Sequence, residues 1–265
     1  MTAPFVLACA SNSDSILGGN LAASPAVSQG IPLHVERGAP SASIAYNRAL
    51  DATQAEIVVF AHHDVYLPKG WDALLMARLA RLTAQHPDWA LAGAYGVAAD
   101  YRQFGPVWTS SLGQIIGRVP LQPEPVHSFD EMLIVLRRSS GIRFDDSQPG
   151  WHMYGTDIVC TARAAGRAAY AIGLPCIHND RFHGTLGPDF TESYRWMQRK
   201  WPQMLPLQTP VTKISRSGLH LLRERWNMRN SHRFRVADAV DTGTPPAELA
   251  ALCGWSDLTP AVTAP

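Results

Sequence analysis

The sequence predicts an α/β protein built on an open, mostly parallel sheet of the Rossmann-like kind, flanked by helices. Three observations carry that expectation. Apolar runs with no polar alternation recur at 5–10, 56–60 and 90–97, the pattern of strands buried on both faces. Stretches with helical spacing of apolar residues lie between them. Two runs end abruptly in polar clusters, His62-His63-Asp64 and His178-Asn179-Asp180. Polar groups at such exits sit where open α/β sheets bind ligands, outside the carboxyl ends of the strands.

Taken in order, 5–10 is a first strand and Ser11-Asn12-Ser13-Asp14-Ser15 a polar turn rich in N-cap residues. A short strand is expected at 31–35. The stretch 41–53 reads as a helix capped by Ser41 or Ser43, with Ile44, Ala45, Ala49 and Leu50 as its apolar face. The strand 56–60 follows. The stretch 71–85 reads as an amphipathic helix, with Leu74, Leu75, Leu79 and Leu82 at helical spacing. After the strand 90–97, the Gly-, Ser- and Pro-rich 100–125 reads as loops or hairpins. Strands are expected at 130–137 and 169–177, and helices at 155–166 and 194–201.

The chain has 265 residues, 46% of them apolar, and a formal net charge of +1, so no overall field points to nucleic acid. Cys9, Cys160, Cys176 and Cys253 are scattered, with no C-x-x-C spacing for a zinc knuckle, which suggests a reducing compartment. Val6-Leu7-Ala8-Cys9 looks like a lipoprotein cleavage site, but no basic region precedes it and the apolar stretch is short, so a first strand is expected instead. No apolar run reaches the roughly 18 residues of a membrane span. The expected setting is the cytoplasm, with contact at the inner membrane face left open.

Character changes after Thr209. The stretch 213–235 carries Lys213, Arg216, Arg223, Arg225, Arg229, Arg233 and Arg235 against Glu224 alone, with Leu219, Leu221, Leu222 and Trp226 among them. It reads either as a basic amphipathic helix lying on an anionic membrane or as a helix packed back on the domain with a solvated basic face. The expected division is a catalytic domain over 1–205 and a basic helical extension over 206–265, ending in one short helix and a frayed Pro/Thr/Ala tail.

Three clusters could carry chemistry. On an extended strand, positions i and i+2 point the same way, so His62 and Asp64 are expected to share a cavity with His63 turned aside. Histidine and aspartate together can hold a divalent cation; the bland reading is a polar loop with Asp64 as a helix cap. Asp157 stands at a helix start, either as a cap or as a general base at the mouth of a site. His178 ends another strand, and could complete a metal site with Asp64.

The motifs, in order, resemble those of bacterial family-2-like glycosyltransferases of the GT-A fold. The run from Ser43 through Asn47 to His62-His63-Asp64-Val65 reads as an Asn-containing helix, an apolar strand and His-x-Asp-Val in place of Asp-x-Asp. The likeness continues through Phe129-Asp130-Glu131, Phe144-Asp145-Asp146, Trp151-His152-Met153-Tyr154-Gly155-Thr156-Asp157, His178-Asn179-Asp180 and Lys200-Trp201, covering about 4–202 by order of motifs.

That resemblance implies a nucleotide-sugar donor, Mn²⁺ or Mg²⁺, and transfer to a hydroxyl of a glycan or other acceptor, with inversion. It implies that Asp64, His62 and His178 hold the metal and that Asp157 is the base. Ala10, Ser11, Asn12 and Glu36 would lie near the nucleotide, together with Asn47 and His62, while Asp130 would lie under the donor sugar or acceptor. His62 replaces the first acid of Asp-x-Asp, and the acid-rich sequence usual near Glu36 is missing. Two other readings remain: a GT-A-like domain that binds nucleotide or glycan without catalysis, and a metal-dependent hydrolase. No nucleic-acid partner is expected, since no stripe of Lys/Arg with stacking aromatics occurs before the late basic segment.

Overall fold

A computed structural model describes residues 3–181 and 184–259. A seven-stranded sheet organises the chain, formed by β1 (Val6–Ala10), β2 (Leu33–Glu36), β3 (Ile57–Ala61), β4 (Trp89–Gly93), β5 (Glu124–Pro125), β6 (Leu133–Arg137) and β7 (Ala168–Ala171). Its order is β5-β7-β4-β6-β3-β1-β2. β1 runs parallel to β2 and β3, and β7 parallel to β4, while β6 is inserted antiparallel between β3 and β4. With β5 antiparallel to β7, five of the seven strands point one way, the mostly parallel α/β sheet expected.

The unbroken apolarity of the central strands follows from cover on both faces. Val59 and Ala61 pack with Trp71, Leu75 and Leu82 of α3 (Trp71–Gln85) on one side. Val58 and Phe60 pack on the other with Tyr46 and Leu50 of α2 (Ala42–Ala52) and Ile158 and Val159 of α4 (Tyr154–Ala164). α2 starts and stops as its sequence predicts: the Ser41 side chain accepts from the Ile44 amide, and Thr53 closes it.

Two expected strands divide. The run 169–177 becomes β7 and a separate strand, Cys176–His178, because Gly173 turns the chain with φ +64° and Pro175 follows. Cys176–His178 joins a second sheet with Val65–Tyr66, Val107–Thr109 and Gln114–Ile116. The run 90–97 breaks after Gly93, and Gly96–Val97 pairs with Ser128–Phe129 and Gln103–Phe104. The strand expected from 130 begins at Leu133, since Asp130 folds a turn by accepting from the Met132 amide at 3.1 Å.

The chain beyond 205 returns to the main body. Leu207 and Ile214, on two short antiparallel strands, share a cluster with Phe190, Tyr194 and Met197 of α5 (Pro188–Lys200), a helix longer than expected because Pro188 opens it. The basic stretch becomes helical only from Gly218 onward, as α6 (Leu219–Asp238), since Gly218 sits in the left-handed region and residues 213–214 pair as a strand. A last helix, α7 (Pro246–Leu252), buries Leu249 and Ala250 against Tyr66 and Ile177. The tail expected to fray lies, from residue 260, outside the described residues.

Candidate metal and donor site

The site grows from the exits of β1 and β3 and from the register of the second sheet. Beyond Ala61 the chain turns, with the Val65 amide donating to the His62 carbonyl at 3.2 Å. Val65 then pairs with His178, and the Asn179 amide donates to the Asp64 carbonyl at 2.9 Å. This pairing brings His178 beside Asp64 from more than a hundred positions away. His178 Nε2 lies 3.4 Å from Asp64 Oδ1, and His62 Nδ1 lies 4.0 Å from the same oxygen. The three ligand atoms fall within 4.8 Å of one another, the spacing of a metal triad.

Asp64 Oδ1 is buried and, among the described residues, has no hydrogen-bond partner beyond its charge contact with His178. A buried carboxylate oxygen left this way costs free energy unless another group satisfies it. His62 is prepared for that task by a hydrogen-bond chain. The Tyr154 hydroxyl donates to the Glu131 carbonyl at 3.1 Å, which uses its single proton. The 2.7 Å contact from His62 Nε2 to the same hydroxyl therefore has the imidazole as donor, and His62 Nδ1 keeps its lone pair toward Asp64. Met153, in the left-handed region at φ +65°, sets the start of α4 that carries Tyr154. Asp180 stands 3.9 Å from His178 Nδ1 and is itself held by Thr109 Oγ1 at 2.8 Å.

Electrostatics agree with this placement. Burial alone would lower His178, but Asp180 and Asp64 outweigh it and raise the imidazole to about 10. Burial pushes His62 down to about 4, keeping it neutral. Burial would raise Asp64, yet the charge of His178, 3.4 Å away, holds its carboxyl below the ordinary range. A deprotonated acid, a neutral imidazole and a second imidazole suit a borderline cation such as Mn²⁺ better than Ca²⁺.

Asp64 also lines a cavity of about 530 Å³ with Asn12, Asn20, His63, Asn179 and Arg181, closed on one side by residues 242–246. His63, outside the His62–Asp64–His178 group, nonetheless lines this cavity: residues 63–64 form a turn, where strand alternation no longer applies. Its Nδ1 lies 3.0 Å from Ser11 Oγ, and the Ser11 amide donates to the Glu36 carbonyl at 3.0 Å. Ala10, half-buried, pairs in register with Glu36 at the strand ends. Asn12 thus lines the cavity and Ser11 stands behind it, against His63, whereas the Glu36 carboxylate is taken by His34 Nε2 at 2.6 Å.

Two expected residues are placed otherwise. Asn47 is buried and fully used: its amide donates to the Phe144 carbonyl and Asp146, and its oxygen accepts from the Phe144 amide. It clamps α2 to the 144–146 loop rather than facing the cavity. Asp157 does not stand at a mouth. It is 1% exposed, with Lys200 Nζ at 2.8 and 2.9 Å and Trp201 Nε1 at 2.7 Å, and Lys200 bridges on to Asp145 at 2.8 Å. Asp130 is half-buried, and burial raises its carboxyl, while burial and the Asp130 charge push Glu131 up to about 8. Sequence reasoning missed Tyr154, Arg181 and the wall at 242–246; only the Pro245-Pro246 pair hinted at a fixed turn there.

No family model matches the chain. A protein from Fuscovulum blasticum called "ATP synthase subunits region ORF 6" is 28% identical over 166 residues, covering 57% of this chain and 64% of that protein. Solved structures with a similar fold include a mannosyltransferase from Pyrobaculum calidifontis in complex with GDP-Man and Mn²⁺, at 12% identity over 97% of this chain and 77% of that one, TM-score 0.44. TarS 1–349 from S. aureus matches at 13% identity over 86% and 72%, TM-score 0.43. A glucosyl-3-phosphoglycerate synthase from Mycobacterium tuberculosis with Mg²⁺ and UDP matches at 15% identity over 74% and 78%, TM-score 0.41. Likeness at this level leaves function to be argued from the site itself.

Proposed function

We propose that this chain is a glycosyltransferase that moves a sugar from a nucleotide-sugar donor to a hydroxyl of a glycan or other acceptor, with inversion. The observation that carries the reading is the orphaned Asp64 Oδ1, set between two imidazoles at the edge of a cavity of about 530 Å³. That volume lies within the roughly 300–1,000 Å³ usual for small-molecule sites.

Asp64, His178 and His62 are the residues that would hold Mn²⁺ or Mg²⁺, with Asp64 Oδ1 the acceptor left open for it. Such a cation supplies neutralisation of the charge that develops on a departing nucleoside diphosphate. Asn12 would border the donor, with Ala10 and Ser11 at the strand end behind it, Arg181 adds a fixed positive charge to the cavity, and residues 242–246 form its outer wall. An acceptor hydroxyl needs a carboxylate to take its proton. Asp157 has no oxygen free while Lys200 and Trp201 hold it, so we assign that role to the Asp130–Glu131 pair, whose carboxyls burial raises above the ordinary range, which makes the ionised form a stronger proton acceptor. Asp130 lies near enough for the His178 charge to act on it.

A panel of UDP-, GDP- and dTDP-sugars with Mn²⁺, read by release of nucleoside diphosphate and by thermal shift, tests the reading. Metal-dependent release from one donor supports it. No binding of any donor with metal present would defeat it. The closed state of Asp157 favours one other reading, a domain that binds donor without transfer, which predicts a thermal shift and no release. Phosphatase activity with metal and no sugar nucleotide would mark a hydrolase instead.

A further inference from the structure

The outer face of α6 is built for a surface the rest of the molecule does not supply. Leu221 and Met228, seven residues apart, are its only buried side chains and define the inner face. On the opposite side Leu219, Leu222 and Trp226 follow at spacings of three and four, 65%, 60% and 66% exposed. Arg223, Arg229 and Arg233 border that stripe, and Phe234, also exposed, lies under the Arg233 guanidinium at 4.7 Å. Acidic residues on the helix are limited to Glu224 and Asp238.

The helix is continuous with a second basic feature. Arg225, turned toward α5, donates to the Leu186 carbonyl at 3.2 Å and to Gly187 at 3.3 Å, and also contacts Thr191. With Arg195 and Arg199 on the exposed side of α5 it lines an open groove of about 550 Å³. Glu192 also lines the groove, and the Arg225 fork is held by the Leu186 and Gly187 carbonyls, so the exposed Arg195 and Arg199 are the guanidinium groups offered to a phosphodiester.

We infer that α6 and this groove form a docking surface for an anionic lipid bilayer. Trp226, Leu219 and Leu222 enter the interfacial layer, Arg223, Arg229 and Arg233 lie among the headgroups, and the Arg195–Arg199–Arg225 groove takes a lipid phosphate. Charge complementarity selects the occupant. An apolar stripe bordered by arginine fits a surface that is apolar within and negative at its boundary. A nucleic acid would leave Leu219 and Leu222 without a partner, and a second copy of the same basic face would repel the first. The surface is separate from the Asp64 cavity and does not depend on the transferase reading.

The test is co-sedimentation of the full chain with vesicles of phosphatidylcholine, with and without phosphatidylglycerol, at low and high salt. Binding is expected only to the anionic vesicles, weakening with salt. Each basic residue near an anionic leaflet strengthens binding about fivefold, so Arg229→Glu with Arg233→Glu should weaken it by at least roughly tenfold. Trp226→Ala with Leu222→Ala, both exposed, should weaken it with no change in melting temperature, and should remove a blue shift in tryptophan emission seen on adding anionic vesicles. Arg195→Ala with Arg199→Ala should lower affinity for phosphatidylglycerol vesicles. No binding to anionic vesicles, equal binding to neutral ones, or indifference to the α6 variants overturns the proposal. So does binding of a single-stranded oligonucleotide, or dimerisation lost in the Trp226→Ala variant, without any binding to vesicles.

Discussion

Asp157 is buried and Asp64 half-buried, and their surroundings differ in one respect. Asp157 has both oxygens satisfied, by Lys200 and Trp201. Asp64 has an oxygen with no hydrogen-bond partner among the described residues, facing imidazoles at 3.4 and 4.0 Å. A satisfied buried charge holds elements together; an unsatisfied one in a cavity wall is maintained against a cost in stability, which is expected where a ligand completes it. On the proposed reading Asp64 is the carboxylate that serves a ligand, while Asp157 ties α4 to the end of α5.

The largest effect should follow from breaking the satisfied cluster. Lys200→Met leaves Asp157 buried and uncompensated, and removing one partner of a buried pair costs about 3–5 kcal/mol. Urea denaturation should show that loss, with Mn²⁺ binding by the remaining folded protein unchanged. Asp157→Asn, where it folds, should keep transfer activity; a folded Asp157→Asn protein without transfer would return the role of base to Asp157. The opposite pattern is expected at Asp64. Asp64→Asn should abolish Mn²⁺ binding, read by calorimetry, and lower the metal-free denaturation midpoint less than Lys200→Met does, because Asp180 still faces the His178 imidazole. Equal destabilisation by the two changes would erase the distinction between the clusters.

The third effect is a pH dependence. His178 is raised to about 10 from an ordinary 6.5. Its interaction with Asp64 and Asp180 therefore contributes stability that is fully present below pH 6.5 and is lost as pH rises through about 10. A cation needs that imidazole deprotonated, so the proton competes with it. Across this window the metal-free protein should become less stable while its Mn²⁺ affinity rises, by about tenfold per pH unit for one displaced proton. His178→Gln should flatten both slopes. An affinity independent of pH would place His178 outside the ligand set.

The two clusters were unequally legible in the sequence. The core strands and α2 and α3 could be read because their apolar residues are local and periodic: 71–85 coincides with the helix observed. His62, Asp64 and His178 could be proposed together because each ends an apolar run. The partners of Asp157 were present in Lys200-Trp201, but their chemistry was hidden, since nothing local says that α5 brings that pair against α4. Asn47 misled for the same reason: a polar residue in a helix before the site serves as a clamp on Phe144, a contact spanning 97 positions. His63 stays out of the His62–Asp64–His178 group, as strand alternation suggests, yet it lines the cavity because residues 63–64 form a turn beyond the end of β3 at Ala61.

The smallest expected effect separates a ligand from a neighbour. Tyr154 is buried among Tyr46, Phe60 and Phe144, so Tyr154→Phe keeps the ring packing and removes only the hydroxyl. The stability cost should be about 1 kcal/mol, the net worth of a typical hydrogen bond. Without the hydroxyl, His62 Nε2 has no acceptor and the imidazole is free to rotate or to carry its proton on Nδ1, which would block the lone pair facing Asp64. Loss of such a supporting contact typically weakens metal binding by about 10–100-fold. If Tyr154→Phe binds Mn²⁺ as tightly as the unaltered protein, His62 does not ligate through Nδ1, and the site reduces to Asp64 and His178 with His62 as a neutral wall. If affinity falls while the denaturation midpoint barely moves, the unsatisfied cluster extends through Tyr154 to α4, the same helix that the satisfied cluster anchors through Asp157.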